Sequence, residues 1–345
     1  MKKKVTFSLL FIICVVSCSL LLTYFIVNSN KAKYFSNAAN EDVSDFDDIK
    51  KIESFDVSDF SFKEKNTLDI PSLNYSNGKI SILGSDFKLS NALESKVYDL
   101  INSYGAGNSF YIVSLEDNMS IGYNIDKAFE TASSIKAPYA LYVSREIAKG
   151  NIDPDRKIAY VPKYHNAGTG VVKNYDYGTE FTVRELIYYS LTESDNVAHT
   201  ILHGTFGVKG YNAMLKELKT KQLYLTAGNP WGFTSARSAA IIWQDIYNFA
   251  LEDSEGVTLL DTLSNGKYNY YKEILPQVPS ASKTGFANKD VVESGIVFDK
   301  HPYIAICIAN KGGTRGAYTQ ILNYISLMND IMKEYDDYLQ AKTGK

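Results

Sequence analysis

Cysteine is scarce where a fold could use it. Of three in 345 residues, Cys14 and Cys18 fall in an N-terminal apolar run, so the single Cys307 leaves the main body without a disulfide framework. Cys307 lies within Ile304–Ala309 and reads as a small buried strand residue rather than a reactive thiol. Positive charge is not in excess either. Lys plus Arg number 36 against 39 Asp plus Glu, a formal net charge of -3 and a pI near 5.9, which is no footprint for nucleic acid. Histidines number only four. His199 and His203 have the four-residue spacing that zinc enzymes use on a helix, but Thr200 stands where H-E-x-x-H needs glutamate, so they read as residues that pack or hydrogen-bond on their helix. His165 and His301 fall in loops and no G-x-S-x-G elbow is present, which argues against a Ser-His-Asp hydrolase. There is no internal repeat, and the chemistry read below requires neither metal nor cofactor.

Lys2, Lys3 and Lys4 precede a 23-residue uncharged, mostly apolar run, Val5–Val27, long enough to cross a bilayer. Residues 1–27 are expected to be a single-pass anchor with its lysines in the cytoplasm and the rest of the chain outside. A cleaved signal peptide is the rival reading, and Val15-Val16-Ser17-Cys18 weakly resembles a lipoprotein processing site. All three readings export the main domain. Residues 28–87 are polar and include the acidic patch Glu41–Asp48, as in a flexible extracellular stalk, with a short strand near Lys79–Leu83 that has no evident role.

A folded domain is expected over 88–340. Leu89, Val97 and Ile101 lie on one stripe of an amphipathic helix. Phe110–Leu115 and Ser120–Tyr123 around Glu116-Asp117-Asn118 read as a hairpin. Helices follow from Ser133 to about Lys149, from the T-x-x-E capping box Thr182/Glu185, from Val197, near Ala213–Leu218 and over Ser235–Leu251. Pro138 is expected to bend the first turns of the Ser133 helix. Ser280–Phe286, Val291–Phe298 and Tyr303–Ala309 read as strands, and a helix over Tyr318–Tyr338 closes the chain. Strands at both ends around a helical middle indicate an α+β domain with one antiparallel sheet.

Three short motifs carry chemistry. Ser133 and Lys136 are three apart, so a helix places both on one face, and a lysine in a partly desolvated, cation-flanked pocket can take a serine proton. Ser194-Asp195-Asn196 offers a hydroxyl to relay a proton to a leaving nitrogen and an amide to hold the base lysine or a substrate carbonyl. Lys283-Thr284-Gly285 offers a cation and a hydroxyl for a substrate carboxylate, and a glycine that lets a ligand lie against a strand edge. Each alone is common. Their order and their separations of 61 and 89 positions are specific.

With S-x-x-K, S-D-N and K-T-G in this order, the chain resembles the penicillin-recognising serine enzymes, and most closely the class A β-lactamases, for which this motif set is described. The resemblance covers roughly Lys88–Tyr338. It implies a β-lactamase/transpeptidase-like fold, a five-stranded antiparallel sheet flanked by helices plus an all-helical lobe, with the site between them. It further implies that Ser133 is acylated, that Lys136 is its base and that Ser194 passes a proton to the leaving nitrogen. Asn196 and Lys283 would support the site, Thr284 would bind substrate, and the N–H groups of Ser133 and Phe286 beside Gly285 would form the oxyanion hole. The ligand would be a β-lactam or a peptidoglycan stem peptide ending in D-Ala-D-Ala.

One feature departs from that family. A class A β-lactamase carries a glutamate on the loop after S-D-N to activate the deacylating water. Here no Asp or Glu lies between Glu217 and Asp245, Gln222 or Asn229 can only position a water, and Glu193 reads as a solvated or capping residue. Acylation is therefore supported and fast hydrolysis is not, which keeps open a membrane-tethered sensor or binding module without efficient turnover. Tyr175 and Tyr177 can line the cleft or simply pack.

Overall fold

The computed structural model describes residues 82–343 apart from 118, 288–289 and 311–312. The expected anchor at 1–27 and nearly all of the expected stalk lie outside the described residues, among which no helix is long and apolar enough to cross a membrane.

Strand β1 (Ile82–Leu83) and helix α1 (Asn91–Tyr104) lead into the hairpin of β2 (Ser109–Ser114) and β3 (Ser120–Tyr123). The two-residue β4 (Phe129–Glu130) and a 3-10 turn at Ala132–Ile135 open α2 (Lys136–Ala148). A small ladder of β5 (Lys157–Ala159) and β6 (Glu180–Thr182) precedes α3 (Val183–Thr192), α4 (Asn196–Phe206) and α5 (Lys209–Glu217). β7 (Phe233–Thr234) pairs back on β4. Then come α6 (Ala236–Glu252), α7 (Ser254–Ser264), the one-turn α8 (Tyr271–Ile274), β8 (Ser280–Phe286), β9 (Val291–Val297), β10 (Tyr303–Ala309) and α9 (Gly313–Thr343).

The main sheet is antiparallel in the order β1-β3-β2-β10-β9-β8, so the first and last thirds of the chain meet at β2 and β10. It has six strands among the described residues, not five. The extra one is β1, which pairs with Ser120 and Ile121 and comes from ahead of Lys88. Phe87, just after it, is buried against Tyr335.

Both faces of the central strands are covered, which is why they read as unbroken apolar runs. β10 turns Ile304, Ile306 and Ile308 toward the helical lobe, and Tyr303, Ala305 and Cys307 toward α1 and α9. α9 answers with a stripe at Ile321, Tyr324, Ile325, Met328, Ile331, Met332 and Tyr335, the spacing of one buried helical face. Each such side chain contributes about 1.5–3 kcal/mol when fully buried. Cys307 is buried beside Met328, as a small strand residue should be.

Local signals set the helix starts. Thr182 and Glu185 form the full capping box: the Thr182 N–H donates to Glu185 Oε2 at 2.7 Å and the Glu185 N–H to Thr182 Oγ1 at 3.1 Å. Pro138 falls in the first turn of α2, where a missing N–H costs little, because those donors have no intrahelical partner. We expect Thr182→Ala to remove about 1 kcal/mol of stability, read as a lower urea midpoint with an unchanged slope.

Candidate active site

The 3-10 turn ahead of α2 presents Ser133, with Ala132 just before it at φ 43°, in the left-handed region that a residue with a Cβ rarely adopts. Lys136, in the first turn of α2, is fully buried and aimed at the same point: its Nζ is 2.9 Å from Ser133 Oγ. It also donates to the Ser194 carbonyl at 2.5 Å and to Asn196 Oδ1 at 2.8 Å, with Ser194 Oγ at 3.3 Å. The carbonyl and the amide oxygen can only accept, so they fit the two N–H bonds of a neutral amine, whose lone pair then faces the Ser133 hydroxyl. Burial holds Lys136 well below the ordinary lysine range, and the Lys283 cation pushes it the same way against a weaker pull from Asp195.

The S-D-N turn joins α3 to α4. Ser194 occupies the turn at φ 52°, and Asp195 caps α4, its Oδ1 accepting from the Val197 and Ala198 N–H groups at 2.8 and 2.9 Å. Asp195 Oδ2 accepts from Val171 and Val172 N–H at 2.5 and 2.7 Å, which staples the loop before α3 to the turn. That loop must approach closely. Gly170 has φ 111°, and a Cβ there would lie 2.2 Å from the Asp195 carboxyl. Thr169, not singled out in the sequence, donates its hydroxyl to the Ser194 carbonyl at 2.6 Å. Asn196 Nδ2 donates to the Ala167 carbonyl at 3.0 Å, which fixes Oδ1 toward Lys136.

Strand β8 closes the third side as the sheet edge. Lys283, fully buried, places Nζ 3.1 Å from Ser194 Oγ and 3.0 Å from the Thr284 carbonyl, and burial lowers it to about 8 against the opposing effect of Glu293. The Ser194 hydroxyl therefore sits between two amines. Gly285 lies against the 3-10 turn that presents Ser133: a Cβ would be 2.3 Å from the Thr131 carbonyl and 2.7 Å from Ser134 N. Phe286 follows on the open side, 40% exposed, with its ring 6.0 Å from Tyr270. Thr284 is adjacent in sequence, but its hydroxyl bonds the Tyr268 carbonyl at 2.9 Å and the Glu293 carboxyl. Ser133, Lys136, Ser194, Asn196 and Lys283 thus converge, while the Thr284 hydroxyl is held by its own neighbours.

The loop between α5 and α6 supplies what the sequence did not reveal. Trp231 lies over Lys136 with its ring centroid 5.5 Å from Nζ. Gly232 is tied to the Ser133 turn through Thr131, whose N–H and hydroxyl bond the Gly232 carbonyl at 2.9 and 3.0 Å. His199 and His203 bond this loop rather than their own helix, reaching the Pro230 and Thr226 carbonyls at 3.0 and 3.1 Å. Burial pushes His199 down to about 3, so it is a neutral imidazole. Gln222 Oε1 accepts from Ser235 and Ser238 hydroxyls at 2.9 and 2.7 Å, and Asn229 Oδ1 from the Trp231 N–H at 3.0 Å, so both carbonyl oxygens brace the loop. Glu193 caps α3 and lies 3.6 Å from Lys267. Tyr175 packs edge-on against Phe181, and Tyr177 is exposed beside Tyr160.

The profile of the beta-lactamase enzyme family matches residues 92–333. Beta-lactamase VEB-1 of Pseudomonas aeruginosa is 29% identical over 112 residues, 32% of this chain and only 38% of that relative's length. A β-lactamase from Sphaerobacter thermophilus is similar in structure with a TM-score of 0.61 at 19% identity, covering 68% of this chain and 94% of its own. PBP-A, in a point mutant solved as an acyl-enzyme complex with penicillin G, has a TM-score of 0.62 at 17% identity over 70% of this chain and 97% of its own. At these identities the two structures establish the β-lactamase/transpeptidase-like fold.

Side-chain NMR of 13C-labelled lysines is expected to show Lys136 titrating well below the exposed lysines, and Lys283→Gln to move that midpoint upward by removing a neighbouring cation. A Lys136 midpoint among those of the exposed lysines would contradict the desolvated-amine description.

Proposed function

The chain belongs to the beta-lactamase enzyme family, and on that premise we propose that it is a serine enzyme that is acylated on Ser133 by β-lactams and by D-Ala-D-Ala ends of cell-wall peptides. The observation that carries this reading is the 2.9 Å approach of Ser133 Oγ to a fully buried lysine whose two shortest bonds, to the Ser194 carbonyl and Asn196 Oδ1, go to oxygens that only accept.

The steps follow from the geometry. Lys136, as a neutral amine, takes the Ser133 proton while Oγ attacks the carbonyl carbon of the amide. The N–H groups of Ser133 and Phe286 are the proposed donors to the oxygen that becomes negative, a role favoured by the close seat of Gly285 on the turn. Ser194 Oγ, 3.3 Å from Lys136 and 3.1 Å from Lys283, gives its proton to the leaving nitrogen and regains one from Lys136. In net terms one proton has passed from Ser133 to the leaving nitrogen as the C–N bond breaks, Lys136 and Ser194 return to their starting forms, and an ester remains on the enzyme.

Release of that ester needs a water and a base. The loop 219–234 carries no carboxylate, its Gln222 carbonyl oxygen is taken up by Ser235 and Ser238 at the start of α6 and that of Asn229 by the Trp231 N–H, and Trp231 lies over Lys136. These features support slow hydrolysis of a β-lactam adduct. They equally support a second reading, a sensor or binding module that is acylated without useful turnover. The lysine-flanked apolar run at Val5–Val27 supports a membrane-tethered domain outside the cytoplasm.

A fluorescent penicillin followed by intact mass tests the proposal. We expect one adduct on Ser133 that persists for hours, none with Ser133→Ala, and acylation slower by about 10²–10⁴ with Lys136→Ala. Rapid loss of the adduct with product release would make the protein an efficient β-lactamase. No adduct at any pH would overturn the acyl-enzyme reading.

A further inference from the structure

Glu293 is a fully buried carboxyl directly behind the K-T-G strand, and the steps above do not use it. It lies on β9 in register with Thr284, its Oε2 bonded to Thr284 Oγ1 and its Oε1 3.4 Å from the Tyr270 N–H. Thr284 Oγ1 also bonds the Tyr268 carbonyl at 2.9 Å. A hydroxyl has one proton, and the Tyr268 carbonyl can only accept. If Thr284 gives its proton to that carbonyl, its contact with Glu293 must be supplied by a carboxylic acid donating to Thr284 Oγ1. If Glu293 is ionised, the Thr284 hydroxyl turns to it instead and offers nothing to a ligand.

We propose that Glu293 determines carboxylate recognition at this site: in its acid form it donates to Thr284 Oγ1 and leaves the Thr284 hydroxyl free to turn from the Tyr268 carbonyl to a ligand carboxylate. This rests on the ligand class proposed above. Ionised Glu293 works against the same ligand twice, by capturing the hydroxyl and by placing a negative charge beside the incoming one. The groups that face Glu293 are Ser282, Lys283 and Thr284 of β8, Tyr270 and Tyr271 at α8, and Cys307 of β10. Among them Lys283 is the only cation. Burial raises Glu293 to about 7, against the lowering effect of the Thr284 and Ser282 hydroxyls and of the Lys283 charge. Between pH 5.5 and 7.5 the acid form then falls from nearly all molecules to about a quarter, so a ligand that requires it binds about fourfold more weakly. Lys283, lowered to about 8, still carries about three quarters of its charge at pH 7.5, so its own titration weakens the same ligand only about 1.3-fold.

The test measures noncovalent binding to the full chain carrying Ser133→Ala, by ligand-observed NMR titration, for a penicillin and its methyl ester. The expected result is a Kd for the acid that rises about fourfold from pH 5.5 to 7.5, with no such change for the ester. Adding Glu293→Gln, whose amide donates at every pH, is expected to hold the acid's Kd near its pH 5.5 value. Equal pH dependence for acid and ester, or none for the acid, would overturn the inference while leaving the acylation reading intact. No binding of the acid at either pH would overturn both. Should the glutamine variant fail to fold, the acid and ester comparison alone decides.

Discussion

The site depends on keeping one amine dry. A lysine buried without a carboxylate partner is expensive as a cation, so the fold favours the neutral form, and the neutral form is the one able to accept a proton. The carboxylate nearest in the motif relieves this only weakly. Asp195 has both oxygens taken up by four backbone N–H groups, where it caps α4 and pins the loop ahead of α3. Lys283 adds a second amine on the far side of Ser194 and makes a charge on Lys136 still less favourable. The close approach at Gly170, the left-handed Ser194 and the Thr169 bond to the Ser194 carbonyl all hold acceptors where Lys136 needs them.

Much of this was legible in the residues, for specific reasons. S-x-x-K needs only helical geometry to bring its ends together, and the 3-10 turn running into α2 provides it. The capping box marked α3, and the apolar run of β10 matched its strand because both faces of the sheet are covered there. β1 was visible only as a short apolar stretch, and the pairing that makes it a sixth strand comes from β3, almost forty residues later. α7 was missed because Asp253-Ser254-Glu255-Gly256 has turn composition. In the structure Asp253 ends α6 and caps α7, and Gly256 allows the two helices to meet closely, since a Cβ would lie 2.2 Å from the Phe249 carbonyl.

The site residues that escaped notice share one property: their partners are distant in sequence. Trp231 reaches Lys136 across 95 positions, and nothing local distinguishes it from a packing aromatic. Glu293 did leave a signal, as the one charged residue in Val291-Val292-Glu293-Ser294-Gly295, where a buried strand has little reason to hold a carboxyl. Thr284, assigned by resemblance to substrate, has a hydroxyl already bonded to that carboxyl. The histidine pair, expected to pack or hydrogen-bond on its own helix, has loop carbonyls as its partners instead. Gln222 and Asn229 brace the same loop, so the stretch without a carboxylate is held firmly in place.

On the proposed reading, proton abstraction and ester release are separate physical problems: the first has a buried amine at hydrogen-bond distance, and the second has no carboxylate on its loop. The most direct test of the buried-amine mechanism is the rate of Ser133 acylation by a β-lactam from pH 5 to pH 10, read by intact mass. A rate that has reached its plateau well below the ordinary lysine range is expected, because Lys136 is already neutral there. A rate that climbs steadily to pH 10, tracking an ordinary lysine, would contradict it.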